Sequence, residues 1–542
     1  MHVPRFTRRK FVQQLAVTTA SAAALRSWSG AADTDTATGS AQMDPLRRAM
    51  DRGAKCCLSW LNRDQQYLPT GGWELGHDSG RWWDAMLRYE AATGVRIPEY
   101  AETAMLKNVQ TLSDNAAALL GSTSCQPHNL RESMLAYTAL VRHRKSDWAL
   151  QQGQKLVETM HSLLEADGQM DYAKLAERTG KPLTKDPLCA QSSPAGQWFN
   201  ATATTGRAIE SIVWFHEATG DPRALELAGR LAEVHLRQSI DPSGKVRAEL
   251  LDPTHVGHTH SYCGTLRGLL LYGLATGDKT YVNAVAGTYR HGLWGTSISH
   301  SGWTPHDQGK IRFPDKEGDP IGEHASCGDV AQIALWLALR AGQVDLLDDV
   351  ERLIRARLFP SQIADAKNPR RDGAWGVYSH PFGYGAILDV FAAVLHSLAD
   401  FHQNIVTTGT DGSHSVNLHF DIDTTAIAVR SRRDRDATLS VTVKEPSMIR
   451  MRVPGWASRE SVRLSIDDKP VPLPLRWEGA YVVMAKEAVT AGSVIALSHD
   501  LPERQTVEEM PISHRKFQLD WRGDEVLACD PKVGIYPAKV SR

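Results

Sequence analysis

Residues 216–234 read HEATGDPRALELAGRLAEV. A helical run ends at Gly220, where glycine takes the left-handed conformation of a helix C′ position without a Cβ clash. Asp221-Pro222 then opens a return segment, since proline suits a first helical position. In that segment Ala224, Leu227, Ala228 and Leu231 recur at three- and four-residue spacing, the mark of an amphipathic helix. The same phrase returns four times: EAATGVRIPEYAETAMLKNV (90–109), LVRHRKSDWALQQGQKLV (140–157), LATGDKTYVNAVAGTY (274–289) and LRAGQVDLLDDVERLI (339–354). Gly94, Gly277 and Gly342 hold the stop position in three of these, and Asp278-Lys279 repeats the opening of the return. Repeated helix hairpins make a stacked or closed array. About five or six of them, separated by longer segments rich in Gly, His and Trp, predict an (α/α)6 toroid whose long connections gather at one end, where a site can form.

After residue 404 the texture changes. SVNLHFDI, TAIAVRS, TLSVTVKE, SMIRMRVP, SVRLSID, AYVVMA and SVIALSHD alternate apolar and polar residues between turns. That is the period of half-buried antiparallel strands, and so many short ones predict a β-sandwich. The expected organisation is an export signal over 1–32, a linker over 33–42, the toroid over 43–404 as the catalytic part, and an antiparallel β-sandwich over 405–542.

The 542 residues are too many for one ordinary core, which agrees with two domains. Lys plus Arg (61) balances Asp plus Glu (62), so charge argues against nucleic acid or an anionic membrane as partner. No apolar run reaches the ~20 residues that span a bilayer. Thr7-Arg8-Arg9-Lys10-Phe11-Val12, the stretch LAVTTASAAAL and small residues near Ala31-Ala32 resemble a twin-arginine signal cleaved close to Ala32, which places the mature protein in the periplasm or outside the cell. Seven cysteines are an odd number for an oxidising compartment, and Cys56-Cys57 in AKCCLSWL read as buried free thiols. Among the tryptophans, Trp73, Trp82, Trp83, Trp198, Trp294, Trp303 and Trp375 fall in expected loops, where they could stack on sugar rings or simply fill a core.

Three clusters could carry chemistry. The first, from Asp252 to Gly268, holds His255, His258 and His260 with Tyr262 and Arg267. Such histidines bind metal, polarise a hydroxyl or act as a base, or else cap the backbone at a helix entry. The second contains His300, Trp303, His306 and Asp307, then Asp319, Glu323, His324, Cys327 and Asp329 before the apolar helix VAQIALWLAL. At a helix start the dipole is expected to lower the Cys327 pKa and hold anionic carboxylates, a cap at Asp329 being the plainer reading. The third, Arg371 to Gly385, mixes glycines and aromatics around Trp375, Tyr378, His380 and Tyr384, as a pocket wall or a packed surface loop would.

The order of these segments carries a family resemblance. HTHSYCGTLRGLLLYGLATGD (258–278), HASCGDVAQIALWLALRAG (324–342), then MRVPGWA, AVTAGSVIALSHDLPERQTVEE and WRGDEVLACDP resemble the glycoside hydrolases of family 127 and their neighbours over most of residues 45–530. The resemblance implies an (α/α)6 barrel followed by a β-sandwich and a retaining β-L-arabinofuranosidase-like activity. It also implies a zinc ion held by one glutamate and three cysteines, with one cysteine as nucleophile and a separate glutamate as acid/base. Cys327 matches the first cysteine. Ala325 stands where the ligand glutamate is expected, Glu323 lies two residues before it, and the later loop GVYSHPFGYG has no cysteine.

The expected protein is therefore an exported glycoside hydrolase with a plant or microbial carbohydrate as substrate. Glu323 and Asp307 are its candidate catalytic acids. His258, His260, Tyr262, Trp303, His306 and His380 are candidate substrate contacts, and Glu323 and Cys327 candidate zinc ligands. A carboxylate pair would need one protonated and one ionised member. Two other classes fit the same residues. One is a polysaccharide lyase with His258, His260 and Tyr262 as base and acid and Arg267 or Arg371 on a uronate. The other is a carbohydrate-binding protein without activity.

Overall fold

The computed structural model describes residues 44–536 except 67, 70–74, 115–128, 172, 175–176, 178–190, 193–197, 200–204, 249–257, 306–322, 377–387, 510–513 and 533–534. The twin-arginine segment lies outside the described residues. Among the described residues twelve α-helices run α1 Pro45–Ser59, α2 Leu75–Thr93, α3 Glu99–Asp114, α4 Asn129–Arg144, α5 Asp147–Ser162, α6 Ala208–Thr219, α7 Pro222–Gln238, α8 Thr259–Thr276, α9 Lys279–Thr288, α10 His324–Ala341, α11 Leu347–Leu353 and α12 Leu388–Gln403. The even-numbered helices pack each against the next, and α12 returns to α2, closing an inner ring. Outside it, α3, α5, α7, α9 and α11 each lie on the inner helix that precedes them, and α1 lies on α12. The sixth pair thus joins the first and last helices, which is why the turn phrase occurs only five times.

Local chemistry makes the hairpins tight. Gly220, Gly277 and Gly342 cap α6, α8 and α10 at φ of 72°, 74° and 78°. The returns are capped in turn: Asp221 accepts from Arg223 N, Asp278 from Thr280 N, and Ser146 from Ala149 N. Because the turns 94–98, 145–146, 220–221, 277–278 and 342–346 are short, partners are antiparallel and all inner helices run the same way. The longer connections 115–128, 163–207, 239–258, 289–323 and 354–387 therefore all lead into the same end of the ring, the N-terminal end of the inner helices.

Burial separates the two rings. On α10 every residue from His324 to Ala338 is buried, as in a helix packed on all sides. On α7 burial follows one face through Ala224, Leu227, Ala228, Leu231 and Ala232. The inner helices approach closely at glycine: a Cβ on Gly80 of α2 would stand 1.9 Å from the Glu132 carbonyl oxygen of α4. Gly80→Ala is expected to push these helices apart at a cost of roughly 1–3 kcal/mol, read as a lower denaturation midpoint.

Two larger sheets make the sandwich, one of five strands and one of six, with a three-stranded sheet over Glu503–Glu509, Lys516–Arg522 and Glu525–Asp530 beside them. Strand Asp436–Val443 alternates buried positions with partly buried or exposed ones, as its sequence predicts. One pairing in the five-stranded sheet, Ile449–Arg452 with His414–Val416, is parallel. Arg452 of the MRVPGWA segment explains why that segment is distinctive. Buried to 1 % exposure, it crosses from the strands to Asp348 and Glu351 of α11, and Gly455 N donates to Asp348 Oδ2 at 2.8 Å. Glu508 makes a second crossing, accepting from Ser301 N and Ser301 Oγ, both at 2.6 Å.

Candidate active site at the N-terminal mouth of the inner helices

The ring is filled by charge where its helices begin. Glu132 of α4 accepts through Oε1 from Arg81 (3.1 Å), Arg131 (3.1 Å) and Arg207 (3.0 Å). Arg131 also reaches Glu210 of α6, which pairs with Arg267 of α8 at 3.1 Å. Arg267 then meets Asp329 of α10 at 2.6 Å, and Asp329 accepts from His260 Nδ1 at 2.5 Å. The second ring nitrogen of His260 faces Arg81 at 2.6 Å, so the circuit closes across five inner helices. The sixth joins through His396, which lies 3.4 Å from Arg267 and pairs with Asp84. All members of the circuit are at most 4 % exposed.

These contacts assign His260 a role. Its Nδ1–H donates to Asp329 and its Nε2 accepts from Arg81, which is the neutral tautomer. Burial, then the nearby Arg81 charge, holds its pKa well below the ordinary value. With both ring nitrogens engaged, His260 belongs to the circuit.

At the rim stands a different pair. His258 is the N-cap residue of α8 and Glu323 that of α10, and neither side chain caps its own helix. Instead His258 Nε2 lies 2.8 Å from Glu323 Oε2, and His258 Nδ1 lies 2.9 Å from Ser261 Oγ. In the neutral tautomer that gives its Nε2–H to the carboxylate, Nδ1 accepts from Ser261 Oγ. The Glu323 side chain is 3 % exposed and that of His258 18 %, so the pair reaches solvent through the imidazole. The Glu323 backbone is pinned on both sides, its N–H on Thr304 O at 3.0 Å and its C=O on Thr304 Oγ1 at 2.6 Å. Two helix N-termini place partial positive charge here, where a carboxylate is best held.

Other expected residues fall elsewhere. Tyr262 is buried, its hydroxyl turned to Ser239 O at 3.5 Å beside the outer helix α7, and burial raises its pKa. Trp303 is 4 % exposed and one face is covered by the Arg357 guanidinium 3.2 Å from the ring centre, so it packs the junction with the strands rather than offering a platform. Trp82 and Trp83 lie in α2 and Trp375 is fully buried; these three are core. Asp329 is no cap, being the sixth residue of α10 and tied to Arg267 and His260. Asp307, His306, Asp319, His380 and Trp73 lie outside the described residues.

Cys327 reverses its expectation. It is fully buried, and desolvation pushes its thiol up to about 12 instead of letting the helix dipole lower it. Cys56, Cys57, Cys263 and Cys327 are free and buried, as AKCCLSWL predicts for the first two, and Cys529 is buried as well. Among the described residues no group of three or more His, Cys, Asp or Glu side chains could hold a metal ion. A neutral, buried Cys327 with no cysteine in 376–385 does not fit a thiolate-rich zinc centre.

Arg81, Glu132, Arg207 and Glu210 went unmarked in the sequence reading. The signal was present as charged residues inside apolar helix starts, HDSGRWWDAML, NLRESMLAY and GRAIESIVWF. A charge in a stripe that must be buried needs a partner, and these helices supply each other's.

Neutral buried histidines also set a pH dependence. Burial lowers His235 and His324 to about 3, below the ordinary value of about 6.5 that they regain on unfolding. The unfolded chain therefore binds more protons at acid pH, so stability is full above about pH 6.5 and falls below it. Each such histidine should remove up to about 1.4 kcal/mol per pH unit between about 6 and 3. Denaturation midpoints measured from pH 7.5 to 4.5 check this.

No protein-family model and no curated protein matches the chain. Solved structures do match over 89 % of its length, each with 80 % of its own chain covered. One is a glycoside hydrolase (TM-score 0.59, 13 % identity) and another a family 127 β-arabinofuranosidase (0.57, 12 %). A third is the family 127 β-L-arabinofuranosidase of Geobacillus stearothermophilus T6 (0.53, 13 %). The helical ring with its appended sandwich is thus a fold this chain shares with glycoside hydrolases of family 127.

Proposed function

We propose that the protein is an exported glycoside hydrolase whose acid/base is Glu323. The observation that carries this reading is the His258–Glu323 pair, built from the N-caps of two inner helices at the end where the long connections converge. A nearly buried carboxyl group whose Oε2 accepts from a partly exposed imidazole is suited, when its other oxygen carries the proton, to giving that proton to the leaving glycosidic oxygen and then, ionised, to taking one from the attacking water. His258 orients the carboxylate through Nε2–H and offers its exposed edge to a sugar hydroxyl. Asp307 is the proposed second carboxylate, because the connection 289–323 that carries it leads straight into Glu323. The fold shared with β-arabinofuranosidases supports a furanoside or a related neutral glycan as substrate. The Thr7–Val12 motif supports twin-arginine export.

The lyase reading has less support, since Tyr262 faces a backbone carbonyl by α7 and His260 spends both nitrogens on the charge circuit. Incubation of the purified mature chain with neutral and uronate-containing glycans tests the choice. Hydrolysis gives products heavier by one water, seen by mass spectrometry. Unsaturated uronates absorbing in the ultraviolet would overturn it in favour of a lyase, and tight binding without product in favour of a binding protein.

A further inference from the structure

On elements separate from the His258–Glu323 pair, α1 faces the π-helical turn Ile354–Leu358 and the strand Glu525–Asp530 across a cleft of about 410 Å³. That volume falls within the roughly 300–1,000 Å³ of small-molecule sites. Its polar lining is cationic: Arg48, Arg52 and Arg355 stand against one acid, Glu525, which leans to Arg522 at 3.8 Å. Arg52 is committed, with Nη2 on Asp372 Oδ1 at 2.9 Å and on Ile363 O at 2.7 Å. Arg48 is exposed and its guanidinium has no partner among the described residues.

Arg355 is the more telling group. Nine-tenths buried, it donates from Nη2 to His419 O at 2.7 Å and stacks on Phe420 at 4.3 Å. Its nearest carboxylates, Glu351 and Asp524, stand off at 3.7 and 3.8 Å from Nε, which makes no hydrogen bond. A buried guanidinium so loosely paired, beside a second one with no partner, is poised for an anion that completes it. Gln362 also lines it, but its amide is taken up by Arg52, Ala49 O and Gly373 O, and the remaining walls are Pro45, Ala49, Phe359, Pro360 and Val526. They give a bare inorganic anion nothing to touch, whereas the C–H face of a sugar ring packs on such a surface.

We propose that this cleft is a second carbohydrate site that takes a uronate, its carboxylate on Arg48 and Arg355 and its ring on Phe359 and Pro360. The assignment stands on the cleft alone and holds whether or not Glu323 is catalytic.

Calorimetric titration of the full chain with methyl β-D-glucuronide, methyl β-D-glucoside and acetate tests it. The glucuronide is expected to bind saturably, with the glucoside and acetate each at least about tenfold weaker. Arg48→Gln should weaken the glucuronide about tenfold without moving the thermal midpoint, because Arg48 is a surface residue, and added salt should weaken it further. Glu323→Gln should leave this binding unchanged. No glucuronide binding, equal binding of acetate, indifference to Arg48→Gln, or loss of binding in Glu323→Gln would each overturn the proposal.

Discussion

Glu132→Ala is expected to destabilise the chain by roughly 3–5 kcal/mol, a large part of the ~5–15 kcal/mol that keeps a domain folded. One carboxylate oxygen serves three arginines at 3.0–3.1 Å, and Glu132, Arg81, Arg131 and Arg207 are at most 2 % exposed. Removing the acceptor leaves that cationic group inside the ring without its shared anion. Desolvation already opposes these charges, lowering Arg207 to about 10 even with Glu132 in place. Without the carboxylate that cost is no longer offset. Glu132→Gln keeps the shape and an acceptor and should cost less. Denaturant titration of both variants reads the difference, and an unchanged midpoint in Glu132→Ala would show that the circuit does not hold the ring together. The same loss should not follow Arg47→Ala, whose partner Asp51 lies in a half-exposed i,i+4 pair.

Five hairpins were legible because each turn is a local event: a glycine stop, a polar cap and a three-four spacing occupy one short stretch, as in 216–234. The sixth was not, since α1 and α12 are partners from opposite ends of the helical part and no local signal joins them. The strands were readable from their alternation, but the parallel register of Ile449–Arg452 on His414–Val416 depends on a crossover that periodicity does not encode. In the candidate site, His258 and Glu323 were found by composition, as an uncommon residue clustered and an acid before an apolar helix. Their pairing across 65 positions needed the ring. For Tyr262 and Trp303 the sequence gives residue type without direction: the Tyr262 hydroxyl is turned to Ser239 O by α7 and the Trp303 ring lies beneath Arg357. Cys327 failed because a helix-end effect worth at most ~2 kcal/mol competes with complete desolvation, which wins.

Glu323→Gln should lower turnover by about 10²–10⁴-fold, the span that general acid/base groups supply. The amide keeps the volume and can still accept from His258 Nε2–H, so the rim geometry and ligand affinity should survive while the transferable proton is lost. His258→Asn, which removes the imidazole that orients the carboxylate, should lower activity less. The pair is therefore best probed on whichever glycan yields a water-added product, with turnover, ligand affinity and thermal midpoint taken on the same preparations of wild type and Glu323→Gln. A loss of at least about 100-fold in turnover with affinity and midpoint preserved is the predicted result. Full turnover by the Glu323→Gln chain would contradict the account and move the chemistry away from this pair.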